Sequence, residues 1–197
     1  SLVSHPTPDK ESFYRFRDEY EKHGFNPDKW AVKKGRLKAI QKEAETFIKE
    51  GWKDTHVIAT PVGGPITTAQ LAVGSSEFLA YLNEDPDFAD EVTELSLDIV
   101  KNICRMMFEA GIDVCNILDP FNSTDILPPE MYRKHGLPYQ ERLFDHIHNE
   151  LGGIGFTHTC TYTQPIWRDI AKNGCLNLSA CPAATSTGTF LRKICTP

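Results

Sequence analysis

The sequence predicts an α/β fold around a parallel sheet, and two observations carry that prediction. Short apolar runs alternate along the chain with longer stretches of helical spacing, and no two of those runs are joined by a hairpin-length connection. Parallel strands need a crossover between them, whereas a tight turn joins only antiparallel ones. The 197 residues are 40% hydrophobic, enough to bury a sizeable core. No repeat, low-complexity tract or shift in composition marks a boundary, so residues 1–197 read as a single domain.

The elements follow in order. Residues 9–22 and 33–50 are charged and helical in spacing, the second through Ile40, Ala44, Phe47 and Ile48, with a turn at Gly24 to Pro27 between them. Val57 to Ala59 is a short apolar strand. The run Thr60-Pro61-Val62-Gly63-Gly64-Pro65 reads as a tight loop, because two glycines and two prolines oppose a regular element. Asp85 and Pro86 supply an N-cap and a first-turn proline, and Phe88, Val92, Leu95, Ile99, Ile103, Met106 and Ala110 follow at steps of three and four before Gly111. Ile112 to Leu118 alternates too little for a half-exposed strand and suits one buried on both faces. Leu143, Phe144, Ile147 and Leu151 form the stripe of the next helix, and Gly152-Gly153 stops it. Ile154 to Thr157 is extended, Pro165 opens a helix through Ile166 and Ile170 to Gly174, and Cys175 to Leu178 is extended again. Four such strands are half of an eight-stranded barrel of about 250 residues. They also suffice for a small open sheet, and periodicity leaves both open.

Composition excludes several functions. The formal net charge is -6, without the lysine and arginine surplus that captures a phosphate backbone, so nucleic acid is not an expected partner. No apolar run approaches the roughly 18 residues of a membrane span, and the first residues lack the build of a signal peptide. The six cysteines, at 104, 115, 160, 175, 181 and 195, include no Cys-x-x-Cys and read as reduced thiols of a cytoplasmic protein. The chain opens at Ser1 without a methionine and stops at Pro197, which reads as part of a longer protein.

In a parallel α/β fold ligands meet the carboxyl ends of the strands. Those ends carry Gly63-Gly64-Pro65, Asp119-Pro120, His158-Thr159-Cys160 and Ser179. His158 and Cys160 are the sharpest pair, since residues i and i+2 of a strand point to one side and imidazole and thiolate are ligands that zinc prefers. The alternative is an unrelated histidine beside a core cysteine. Cys175, Cys181 and Cys195 are available as a third ligand, and none is singled out. Asp119 either meets substrate, as an acceptor or base, or caps the turn that follows it. Asn122, Ser123 and Asp125 share its loop and are turn formers. The Gly64-Pro65 loop either cradles an anion on its N–H groups or is a sharp strand-to-helix turn. His146 and His148, two apart on a helix, face different ways and read as solvated. Neither Gly-x-Ser-x-Gly nor His-Glu-x-x-His is present.

Several of these motifs together resemble a known family. Gly63-Gly64-Pro65-Ile66-Thr67, Glu84-Asp85-Pro86, Ala110-Gly111-Ile112-Asp113 leading to Leu118-Asp119-Pro120, and Leu127-Pro128-Pro129 with Leu137-Pro138-Tyr139 are similar in order and spacing to the uroporphyrinogen decarboxylase-like superfamily, over residues 35–179. The resemblance implies a (β/α)8 barrel of TIM type, of which this chain carries part. Within the superfamily the decarboxylases usually place a tyrosine and a serine where Leu71 and Pro120 stand here, and their arginine-rich N-terminal motif is absent. The methylcobamide:thiol methyltransferase branch looks like Asp119-Pro120 followed by Ser123-x-Asp125, with a later His-x-Cys zinc pair. That likeness implies zinc on His158 and Cys160, a catalytic Asp119, and Gly64, Pro65, Asp119 and Ser123 toward substrate. It further implies a methylated corrinoid on a partner corrinoid protein as donor, a small thiol as acceptor, and a homo-oligomer wherever a second subunit completes the barrel. Two departures stand out: Thr161 and Tyr162 follow the pair where the family often has glycine, and nothing from Ala180 onward matches. A porphyrinogen carboxy-lyase is the alternative enzyme, and a truncated barrel serving as a binding or assembly module is the non-catalytic one.

Overall fold

In the computed structural model, which describes residues 5–27, 35–172 and 176–177, four parallel strands lie side by side in sequence order. They are β1 (Ala59–Gly63), β2 (Val114–Leu118), β3 (Ile154–His158) and β4 (Leu176–Asn177). The register sets Pro61 beside Asn116 and Phe156, and Gly63 beside Leu118 and His158. Helices supply the crossovers: α1 (Lys10–His23) and α2 (Arg36–Lys49) before the sheet, then α3 (Pro65–Val73), α4 (Ser75–Glu84) and α5 (Pro86–Glu109) between β1 and β2. Between β2 and β3 lies α6 (Leu137–Asp145), flanked by π turns at Tyr132–Gly136 and His146–Glu150, and between β3 and β4 lies α7 (Trp167–Lys172). Four parallel strands joined in turn by helical crossovers are the kind of unit from which a barrel of this type is built.

The first strand corrects the loop expected at Thr60 to Pro65: β1 runs through Pro61. The physical reason lies in its hydrogen bonds. The Ile58 carbonyl accepts from Val114 N–H and the Gly64 N–H donates to the Leu118 carbonyl, so even-numbered residues bond toward β2. Pro61 faces the other way, where its missing N–H removes no bond of this ladder. Among the described residues that side is an edge of the sheet.

The long helix α5 forms as its signals predict. Pro86 stands in the first turn and the Asp85 side chain accepts from the Phe88 N–H at 3.3 Å. Asp85→Ala is expected to lower stability by about 1 kcal/mol, read as a shift in the urea midpoint. Its buried stripe includes Thr93 and Ser96 as well as Phe88, Val92, Ile99 and Val100. Their hydroxyls donate to the Ala89 and Val92 carbonyls at 2.7 and 2.8 Å, which satisfies the polar atoms and lets the residues pack as small apolar ones. Phe13 of α1 meets the Phe88 ring edge-on at 5.3 Å, and Arg17 pairs with Glu91 at 2.9 Å. These contacts dock α1 on α5.

The two faces of the sheet differ. Val62, Cys115, Ile117, Gly155 and Thr157 point to the helices and are buried. Ala59, Pro61, Gly63 and Ile154 on the other face are exposed, and Asn116, Leu118, Phe156 and His158 are half-buried. On the helix side a buried relay joins four elements. Tyr132 Oη donates to Gln140 Oε1 at 2.7 Å, Gln140 Nε2 donates to Thr157 Oγ1 at 3.2 Å, and Thr157 Oγ1 donates to the Ile117 carbonyl at 3.3 Å.

His146 corrects a second expectation, since it is 2% exposed and not solvated. The Leu151 N–H bonds the His146 carbonyl, the i to i+5 spacing of a π turn. The wider turn rotates His146 inward beside Ile147, and Nδ1 lies 2.7 Å from Glu150 Oε2. His148 is half-buried against Phe144, with ring centroids 5.6 Å apart.

Candidate functional site

The strands present their carboxyl ends together, and the predicted residues fall into two layers there. His158 ends β3 on the open face, and Cys160 follows with the same parity. His158 Nε2 lies 3.1 Å from Cys160 Sγ, and both residues are half-buried. The spacing of two therefore does bring imidazole and thiol together. Leu118 flanks His158 in register, and Gly63 one strand further on leaves that layer without a side chain.

Asp119, Gly64, Pro65 and Ser123 form the second layer, behind the first, and all four are buried. Asp119 is 0% exposed. Its Oδ1 accepts from the Thr67 N–H at 2.9 Å and from Thr67 Oγ1 at 2.7 Å, and its Oδ2 accepts from Asn122 Nδ2 at 2.8 Å. Thr67 lies in the first turn of α3, so the carboxyl holds that helix N-terminus to the end of β2, where donors point outward and the dipole favours an acceptor. Burial pushes the Asp119 carboxyl up to about 6, and the hydrogen bonds from Thr67 and Ile66 only partly oppose it. Gly64 makes this possible: a Cβ there would stand 2.4 Å from the Asp119 carboxyl carbon. Pro65 begins α3. Ser123 is 1% exposed and closes the short turn Pro120–Asn122.

A third arrangement was not foreseen from the sequence. The backbone of Tyr162 is tied to the loop after β2 through both of its polar groups. Its carbonyl accepts from the Thr124 N–H at 3.1 Å and from the Thr124 hydroxyl, and its N–H donates to Asp125 Oδ2 at 3.2 Å. Thr161, between Cys160 and Tyr162, has φ of 64°, alone among non-glycine residues described. The departure at 161 from the glycine of the resembled family was the one visible signal.

The donor set suits zinc in kind. An imidazole nitrogen and a thiolate sulfur bind it readily, and a catalytic site holds three protein ligands with one position open. Among the described residues no three His, Cys, Asp or Glu side chains come together for a metal. Cys175, Cys181 and Cys195, the candidates for a third ligand, lie outside the described residues, as does Ser179. The other described cysteines, Cys104 and Cys115, are buried on the helix side of the sheet. No described helix is long and apolar enough to cross a membrane.

The family model for uroporphyrinogen decarboxylase (URO-D) matches residues 16–183. The methylcobamide:CoM methyltransferase MtbA of Methanosarcina mazei is 28% identical over 134 residues, which are 68% of this chain and 39% of that protein. The methylcobamide:CoM methyltransferase MtaA of Methanosarcina barkeri is 25% identical over 148 residues, 75% of this chain and 42% of that one. The chain thus spans well under half the length of these relatives. A solved methyltransferase from Methanosarcina mazei superposes with a TM-score of 0.72 at 22% identity, over 89% of this chain and 47% of the other. That superposition gives the fold: a TIM-type barrel, of which these strands are part.

Proposed function

The chain belongs to the uroporphyrinogen decarboxylase (URO-D) family, and from that premise we propose that it serves a corrinoid-dependent methyl transfer to a thiol, with His158 and Cys160 as zinc ligands. The observation that carries the reading is the 3.1 Å approach of His158 Nε2 to Cys160 Sγ at the end of β3. The names of the relatives, methylcobamide:CoM methyltransferases, supply the reaction class.

His158 and Cys160 would hold the zinc, which would supply Lewis acidity that favours the thiolate form of an acceptor thiol, and the methyl donor would be a methylated corrinoid on a partner protein. In such a transfer the methyl group would pass to the acceptor sulfur as its bond to the donor breaks, the electron pair leaving with the donor. The chain's own residues prepare this event. Cys160 would hold the metal through its sulfur and His158 through a ring nitrogen. Leu118 and Phe156 line the open face beside the pair with apolar surface, and the bare backbone at Gly63 leaves room for the acceptor. Asp119 holds α3 in place behind them, as a positioning residue.

The test is zinc content and affinity. Wild-type protein should bind zinc stoichiometrically, and His158→Ala or Cys160→Ser should weaken binding by more than about 100-fold, since loss of even an outer partner costs about 10–100-fold. Unchanged zinc content in both variants would sink the site. The family's description also supports a second reading, a metal-independent carboxy-lyase. Turnover of uroporphyrinogen by metal-free protein, with no methyl transfer by the zinc-loaded form, would select it.

A further inference from the structure

We infer that Thr124 and Asp125 form a clamp on the Tyr162 backbone that holds Thr161 in a left-handed conformation and thereby positions Cys160 against His158. The inference rests on the zinc reading above for its purpose, and on geometry alone for its existence.

A threonine at φ of 64° is strained, because its branched side chain crowds the backbone there. Such a conformation persists only where its surroundings over-determine it. Here they do. The residue turns the chain after Cys160 so that both polar groups of Tyr162 face the loop after β2. Three hydrogen bonds meet them: the Thr124 N–H at 3.1 Å, the Thr124 hydroxyl, and the Asp125 carboxylate at 3.2 Å. The loop that makes the clamp is itself anchored, since the Ile126 and Leu127 N–H groups bond the Ser123 carbonyl at 3.0 and 2.8 Å and Leu127 is buried. One side of the strained residue is thus fixed by the clamp and the other by β3, where Asp119 N–H bonds the His158 carbonyl at 3.0 Å. The thiol of Cys160 hangs between these two fixed points. Relaxation of Thr161 out of the left-handed region would swing Cys160 relative to His158, so the clamp sets the distance between the two donors.

A double-mutant cycle read by cobalt(II) binding tests this, with cobalt standing in for zinc because a bound thiolate gives it a charge-transfer band. Thr124→Val with Asp125→Ala is expected to weaken cobalt binding about tenfold. The conservative Thr124→Ser with Asp125→Asn retains a hydroxyl and an acceptor, and should restore it. In a Thr161→Gly background the left-handed turn carries no strain, so removing the two side-chain bonds of the clamp should weaken binding by about threefold or less. An ordinary structural hydrogen bond would not show that coupling. Equal losses in both backgrounds, or none, would overturn the clamp. A second measurement needs no metal: the alkylation rate of Cys160, resolved by peptide mass, should rise about tenfold on removing the clamp and less with Thr161→Gly. If wild-type protein gives no cobalt band but the alkylation cycle shows the coupling, the zinc reading falls and the clamp stands.

Discussion

Gly64→Ala is expected to destabilise the fold by about 3–5 kcal/mol, while Gly63→Ala beside it costs less than about 1 kcal/mol, both measured by chemical denaturation. The two glycines differ in what a methyl group would meet. At Gly64 it would lie 2.4 to 2.6 Å from three atoms of the Asp119 side chain, which is buried and pinned by Thr67 and Asn122. Making room means breaking those hydrogen bonds inside a packed interior, so steric and polar costs add. At Gly63 the nearest atom is the Thr68 hydroxyl at 3.3 Å, on the exposed side of β1. Equal losses at the two positions would contradict the assignment of Gly64 to the Asp119 layer.

The second large effect is the pH dependence that Asp119 imposes. Its carboxyl is raised from an ordinary 3.8 to about 6 in the folded protein, chiefly by burial. Between these values the folded state holds the proton and the unfolded state has released it. The contribution of Asp119 to stability is therefore fully present below about pH 4 and is lost as pH rises through 6, by an amount on the order of 3 kcal/mol. Asp119→Asn should abolish this decline. It should also cost about 1–2 kcal/mol at low pH, because an amide nitrogen would then face Asn122 Nδ2 or Thr67. Denaturation midpoints of both proteins from pH 4 to 7 check the two statements together, and parallel curves would refute the linkage.

Much of the fold was legible because local signals agreed with one another. The Asp85-Pro86 start, the spacing of three and four and the Gly111 stop all described α5, and its observed range is Pro86–Glu109. The apolar runs of β2 and β3 were equally plain. β1 was hidden because composition registers Pro61 as a breaker without showing which side of the strand its missing donor faces. The inward turn of His146 was hidden because it depends on a π turn that breaks the ordinary helical period. At the site, the approach of His158 to Cys160 could be read since it needs only strand parity. The partner of Asp119 could not, because Thr67 lies 52 residues earlier and meets it only through the sheet register. The clamp was less visible still: Thr124 and Tyr162 are 38 residues apart, and the one trace of the left-handed turn is Thr161 standing where the resembled family often has glycine.

The outward-facing Pro61 has a further consequence. A sheet edge invites identical chains to stack, and a proline on the free side removes a donor from the row that an incoming strand would use. A newly made chain carrying this strand before its neighbours are in place would thus be a poor template for amyloid-like growth. In that light the residue that disguised β1 in the sequence would also work against a foreign strand adding to this edge of the described sheet.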